Sequence, residues 1–381
     1  MADLDAALAW LAEQRPAMEA LLARLVRQNS FTRNVAGANA VVSALDAELG
    51  RLGLARERIP SDRFGDHLYF ETRAQGAPVF LVGHTDTVFP PGDFEGWSAD
   101  GARAHGPGVI DMKGGLVVGL FALTALSRAG LLDRVPLRGL FVADEEAGSP
   151  ASQPVTRERV RGCACALGLE SGRPGDLIVT RRKGIASLDV TAHGVAAHSG
   201  SDHKRGRNAI WALSRFVDRA QALTDYERGV TVSVGRVEGG TTRNTVPAQA
   251  RCEVDLRSLA ERDGDEATER LRRAAAEAAL EGTRLEVVVA STRPPLVRTE
   301  ASAALAAEYG AIQAECGLGS GEAPLSGGGS DASVTGSAGV PSIDGLGPRG
   351  AGFHTKDEHV ELDSLVPKAT ALARFLARRA G

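Results

Sequence analysis

Three short apolar runs decide what this chain can fold into. VFLVG (79–83), LRGLFVA (137–143) and CALGL (165–169) are continuous rather than alternating, and too short to be helices. Such runs suit strands buried on both faces, as in a largely parallel sheet. Between the first two lies KGGLVVGLFALTALSRAG (113–130), an apolar helix pattern ended by Gly130. Strand alternating with helix implies an α/β domain. Ahead of it, Leu4, Leu8 and Leu11 share one helical face, and Met18, Leu21, Leu22 and Leu25 another, with Pro16 marking a break or a new first turn. Val41, Val42, Leu45 and Leu49 mark a third helix before Gly50.

From about residue 182 the rhythm changes. IASLDVTA (185–192) alternates like a half-buried strand. A helix from Arg207 to about Leu223 follows, then strands at VTVSVGRV (230–237) and ARCEVDLR (250–257), a charged helix (260–281) and RLEVVVA (284–290). This β-α-β-β-α-β order describes a unit that folds by itself. TRPPLV (292–297) reads as a linker back. The expected division is a first domain of residues 1–181 and 293–381 with residues 182–292 inserted into it. A chain of 381 residues is long enough for two cores.

The bulk properties exclude several functions. A formal net charge of −4 does not suit nucleic-acid binding, which needs clustered basic charge. No apolar run approaching about 20 residues stands out as a membrane span. The amphipathic start lacks the basic end and apolar core of a signal peptide, so a cytoplasmic location is expected. Cys163, Cys165, Cys252 and Cys316 show no disulfide framework.

The chemistry gathers where the apolar runs end. The first leads to His84 and Asp86, the second to Asp144, Glu145 and Glu146, and the third to Glu170. Ligands of open α/β sheets bind at the carboxyl ends of strands. One such acid is as well read as a helix cap; three strands ending alike are not. In extended chain His84 and Asp86 share a side, so Asp86 could accept from His84 or its neighbourhood and leave the other ring nitrogen for a metal. Asp111, in HGPGVIDMKGG, is either a helix N-cap or a ligand. The glycines there lack the spacing of a phosphate loop. Adjacent Glu145 and Glu146 point apart, so one can bind metal while the other stays free as a base; burying both without a cation is costly. His354 is a distant second imidazole. His359, which makes no zinc motif with it, reads as a surface residue. Arg181, Arg182 and Lys183 read as a solvated face or as a preference for acidic substrates.

GHTDTV (83–88), GPGVIDMKGG (106–115), DEEAGS (144–149), GLES (168–171), GVAAHSG (194–200), GGTTRNTVPAQA (239–250), DLR (255–257), GGGSDAS (327–333) and FHTKDEHVEL (353–362) occur in this order. In that order they resemble the M20 metallopeptidases of the glutamate carboxypeptidase type. His105 where that family often has Tyr, and LES where many members have LEP, are departures that remove no ligand. The resemblance implies a zinc-peptidase-like domain with a mostly parallel mixed sheet and an inserted ferredoxin-like lid that mediates homodimerisation. It implies two Zn²⁺ per subunit, one held by His84 and Glu170, the other by Glu146 and His354, with Asp111 bridging them. Nitrogen and oxygen donors without thiolate suit zinc, and Co²⁺ or Mn²⁺ are compatible. It further implies Asp86 supporting His84, and Glu145 as general base toward a metal-activated water. His198 would help hold the oxyanion across the dimer; it also reads as a hairpin histidine. Arg257 would hold a substrate carboxylate, with Asn244 and Gly328 nearby. Arg257 equally suits a structural salt bridge, Asn244 a turn and Gly328 a backbone need.

The expected activity is hydrolysis of an amide bond beside a free carboxylate in a small peptide, releasing a C-terminal amino acid. An N-acyl-amino-acid deacylase of acetylornithine or succinyl-diaminopimelate type stays open as the alternative. Glu at position 170 suits both, whereas family members with Asp there tend to be aminopeptidases. A non-catalytic binding protein on the same fold would have lost ligands or the base, and here all are kept.

Overall fold

A computed structural model describes residues 2–381. The chain divides into two compact units. One comprises Met1–Arg181, Leu296–Ser326 and Ser330–Gly381; the other comprises Arg182–Pro295 with Gly327–Gly329.

The first unit is built on a six-stranded sheet. Its spatial order is Ala55–Ile59, His67–Glu71, Leu137–Val142, Val79–His84, Cys165–Gly168 and Ser342–Ile343. Val79–His84 runs parallel to both neighbours, and Ser342–Ile343 runs parallel to Cys165–Gly168. The two strands at the other edge are antiparallel. The sheet is therefore mixed and mostly parallel, as the continuous apolar runs imply. Ala55–Ile59 escapes a hydrophobicity reading because its sequence, ARERI, is largely charged and lies exposed at the edge.

The apolar helix Gly114–Arg128 packs under this sheet. A Cβ at Gly115 would lie 1.8 Å from the Leu169 carbonyl oxygen, so only glycine allows the approach. The contact sets the start of the helix against the residue before Glu170. Val109–Arg128 is long and apolar enough to cross a membrane, contrary to the expectation that no run would be; most of it is buried inside the protein. Leu116, Leu123 and Leu126 join Leu372, Phe375 and Leu376 of helix Leu365–Ala377 in one core. Each fully buried leucine contributes about 1.5–3 kcal/mol, which accounts for an apolar helix without any lipid. Pro16 lies in the first turn of helix Arg15–Val26, where its missing N–H costs nothing. All four cysteines are free thiols.

The second unit is a four-stranded antiparallel sheet in the order Thr231–Gly239, Gln249–Ser258, Gly184–His193, Arg284–Arg293. Helices Ala209–Gln221 and Glu261–Ala278 cover one face. Val190, Val254, Phe216 and Leu271 lie in its core. The last strand runs to Arg293, past the 292 boundary read from the sequence. A two-stranded ribbon, Ala197–His198 with Thr245–Val246, belongs to the same unit.

Candidate metal centre

The central strand Val79–His84 ends at the site. His84 is buried, its Nδ1 3.0 Å from the Asp86 backbone carbonyl. A carbonyl only accepts, so Nδ1 carries a proton and the ring is held with Nε2 facing the other way. Nε2 lies 3.1 Å from Asp111 Oδ1 and 3.7 Å from Glu170 Oε1.

The Asp86 carboxylate is used differently from the simple i, i+2 picture. Its Oδ1 is 3.4 Å from His84 Nδ1, but accepts from the Glu145 backbone N–H at 3.1 Å. Its Oδ2 accepts from Glu146 N–H at 3.2 Å and Thr32 Oγ1 at 2.7 Å. The strand stops at His84, so Asp86 is no longer in the extended chain that the i, i+2 rule assumes. Asp86 ties the His84 strand to the turn carrying both glutamates.

That turn, Glu145–Ala147, follows strand Leu137–Val142. Glu146 Oε2 is 3.3 Å from His354 Nε2, and the same nitrogen is 3.4 Å from Asp111 Oδ2. Glu145 is buried, and its charge acts on His84, Glu146 and Glu170. His354 lies in the left-handed region at φ 58°, in the turn after Gly352, and is exposed.

Asp111 is not a helix cap. The N-cap of helix Gly114–Arg128 is Lys113, and Asp111 sits before it with φ −117° and ψ 90°. The Asp111–Met112 peptide is cis. Gly108 turns at φ 72°, and a Cβ there would meet Thr87 Cγ2 at 2.5 Å. The loop delivers Asp111 so that its two oxygens face different imidazoles.

Two donor groups result: His84, Asp111 and Glu170, and Asp111, Glu146 and His354, with ligand atoms in each within 4.8 Å of one another. Electrostatics says what they suit. Burial, with the charges of Asp111 and Glu145, pushes Glu146 up to about 8 against the pull of His354. Burial beside Asp111 likewise holds Glu170 well above the ordinary carboxylate range. Hydrogen bonds to Asp111 and Glu146 lift His354 to about 10. Burial alone would lower His84, but Asp111 and Asp86 raise it well above its usual value. Burial would raise Asp111, but His354 and His84 hold it low. The pocket thus demands positive charge. Nitrogen and oxygen donors around a shared carboxylate fit divalent cations such as zinc.

Three neighbours carry no signal in the sequence. Glu358, 1% exposed, accepts from the backbone N–H groups of Gly108, Ile110 and Asp111 at 2.9, 3.0 and 3.1 Å. One acid in KDEHVEL forms no pattern that distinguishes it. Lys113 is fully buried, donates to the Gln28 carbonyl at 3.0 Å, and is pushed down by burial to about 7. His67 Nδ1 accepts from Ala143 N–H at 3.2 Å, bracing the chain before Asp144. His359 is half-buried rather than a plain surface residue: it pairs across strands with His105, the rings 5.3 Å apart.

The remaining sequence candidates lie on the second unit. His198 is exposed, and its Nδ1 accepts from Gly200 and Ser201 N–H, both at 3.1 Å. The Asn244 backbone carbonyl accepts from Ser199 N–H at 2.9 Å, and its side-chain Oδ1 accepts from the Thr242 hydroxyl. Arg257 makes a two-pronged pair with Asp255, at 2.8 and 2.7 Å, and donates to the Gly327 carbonyl at 3.1 Å. Gly328 is exposed and its carbonyl accepts from Arg182 at 3.1 Å.

The chain is similar to known proteins over most of its length. Carboxypeptidase G2 of Pseudomonas sp. (strain RS-16) is 29% identical over 371 residues, covering 96% of this chain and 89% of that protein. Succinyl-diaminopimelate desuccinylase of Methylobacterium sp. (strain 4-46) is 30% identical over 394 residues, covering 95% and 96%. The crystal structure of aminopeptidase PepT from Bacillus cereus ATCC 10987 shares the fold with a TM-score of 0.78 at 21% identity, covering 96% of this chain and 99% of that one. The family model for peptidase family M20/M25/M40 matches residues 80–378. The chain belongs to peptidase family M20/M25/M40 and is a hydrolase of C–N bonds.

Proposed function

We propose that this protein is a two-zinc carboxypeptidase that cleaves the amide bond beside a free carboxylate and releases a C-terminal amino acid. The observation that carries the reading is the sharing of Asp111 between two donor groups with Glu145 buried beside them. His84, Asp111 and Glu170 would hold one ion, and Asp111, Glu146 and His354 the other. When bound, the pair would polarise a carbonyl and acidify water.

The chain's own residues supply the rest. Asp86 anchors the backbone of Glu145 and Glu146, so the base and a ligand keep fixed directions. Glu145 accepts a proton from the attacking water at its carboxylate and returns it to the leaving nitrogen. His198, with Nδ1 already accepting two N–H bonds, presents a protonated Nε2 suited to a developing oxyanion. Arg257 is aimed by Asp255 and would bind the substrate carboxylate, with Asn244 and Gly328 lining that subsite.

We further infer a homodimer through the second unit. Thr231–Gly239 is an edge strand, and Val237, Ile210 and Trp211 are exposed on that unit. The desuccinylase relative favours a second reading, deacylation of an N-acyl amino acid. Hydrolysis of a panel of dipeptides and N-acyl amino acids by zinc-loaded protein separates the two. The first reading expects faster release of a C-terminal amino acid from peptidyl substrates. Turnover of simple acyl substrates alone overturns it in favour of the second.

A further inference from the structure

Glu358 is a buried acid near the centre that neither donor group uses and to which the proposed reaction gives no role. It is 1% exposed and four residues beyond His354. Its side chain crosses to another segment of the chain, some 250 residues earlier, and meets only backbone there: Oε2 accepts from Gly108 N–H, and Oε1 from Ile110 and Asp111 N–H. Three N–H donors converging on one carboxylate fix the backbone that bears the shared ligand. On its own side, Thr355 N–H donates to the Gly352 carbonyl at 3.0 Å, and Glu358 N–H to the Thr355 carbonyl at 3.2 Å. These two turns place His354 and Glu358 on one short loop. A single carboxylate therefore connects the loop of Asp111 to the loop of His354.

We propose that Glu358 is a positioning residue that presets Asp111 relative to His354, so that the shared carboxylate stands between the two donor groups before any cation enters. This rests on the metal-ligand reading given above. The alternative is that Glu358 merely satisfies buried amides and stabilises the fold. The two differ in what they predict. A purely structural acid changes stability and leaves the metal affinity of the folded protein alone. A positioning acid changes metal affinity and ligand field. Its removal does so even where the fold survives, because Asp111 must then be ordered at the cost of binding.

Glu358→Gln keeps the shape and the acceptor facing Ile110 and Asp111, but turns an NH₂ toward the Gly108 N–H. Glu358→Ala removes all three acceptors. Zinc affinity is measured by competition with a chromophoric chelator, alongside the visible spectrum of the Co²⁺-loaded proteins and the thermal midpoint of the chelator-treated proteins. We expect about 10–100-fold weaker zinc binding in Glu358→Gln, a larger loss in Glu358→Ala, and an altered Co²⁺ spectrum in both. Glu361→Gln, which loses only the pair with Arg349 on the same segment, serves as control and should bind zinc like the parent. Unchanged zinc affinity and Co²⁺ spectrum in folded Glu358→Gln overturn the proposal. Should both variants unfold, hydrogen exchange of residues 106–113 in the chelator-treated parent decides. Protection supports presetting, and exchange at the rate of an open loop overturns it. If the parent itself binds no zinc, the metal-ligand reading fails first.

Discussion

The polar residues of the two units are held in opposite ways. In the first unit, His84, Asp111, Glu146, Glu170 and His354 are partnered mainly by one another, brought from five chain segments and, His354 excepted, largely withdrawn from water. In the second, His198 and Asn244 are exposed; His198 accepts from backbone N–H two residues on, Asn244 accepts from the Thr242 hydroxyl, and Arg257 is paired with an acid two positions away. The first arrangement stores unfavourable charge that a cation relieves. The second keeps donors in place at little cost, with solvent screening them until a ligand excludes water. On the proposed reading, chemistry would belong to the former kind of site and recognition to the latter.

Three substitutions test that division. The largest effect is expected from Glu145→Gln, which should lower kcat by about 10²–10⁴-fold with zinc content unchanged by metal analysis. Retained turnover would remove Glu145 as the base and blur the contrast. Arg257→Ala should act on recognition. We expect KM to rise by about tenfold or more, the loss of a charged hydrogen bond of about 1.5–3 kcal/mol, with kcat less affected. An unchanged KM in steady-state kinetics would make Arg257 a structural partner of Asp255. The smallest effect is expected from Asn208→Ala. Asn208 caps helix Ala209–Gln221 by accepting from Trp211 N–H at 2.9 Å. Its removal should cost the second unit about 1 kcal/mol in denaturant unfolding while zinc affinity stays as it was. A fall in zinc affinity would show that the units are not energetically separate.

Much of this was legible in the sequence for a physical reason. Strands buried on both faces must be apolar throughout, so His84, the run Asp144, Glu145 and Glu146, and Glu170 stand out as the polar residues that follow them. The alternation of the second unit is visible because its sheet has one wet face. What stayed hidden depends on distant pairing. Glu358 is meaningful only beside Gly108 and Asp111, and Lys113 is read as a helix residue until its burial is seen. Asp86 reads in the sequence as a support for His84, whereas its hydrogen-bond partners are backbone amides on another strand's turn and the Thr32 hydroxyl. The charged edge strand Ala55–Ile59 gives no apolar signal at all.

The left-handed turn that carries His354 leaves that imidazole 55% exposed, whereas His84 is 1% exposed. On the two-zinc reading the pair of ions would not be equally retained. The cation that His354 would hold has an exposed ligand, whereas the one that His84 would hold has a buried ligand. Under zinc scarcity such a protein would part with one ion well ahead of the other. Its half-loaded form would then be a distinct species, reversibly refilled from the outside.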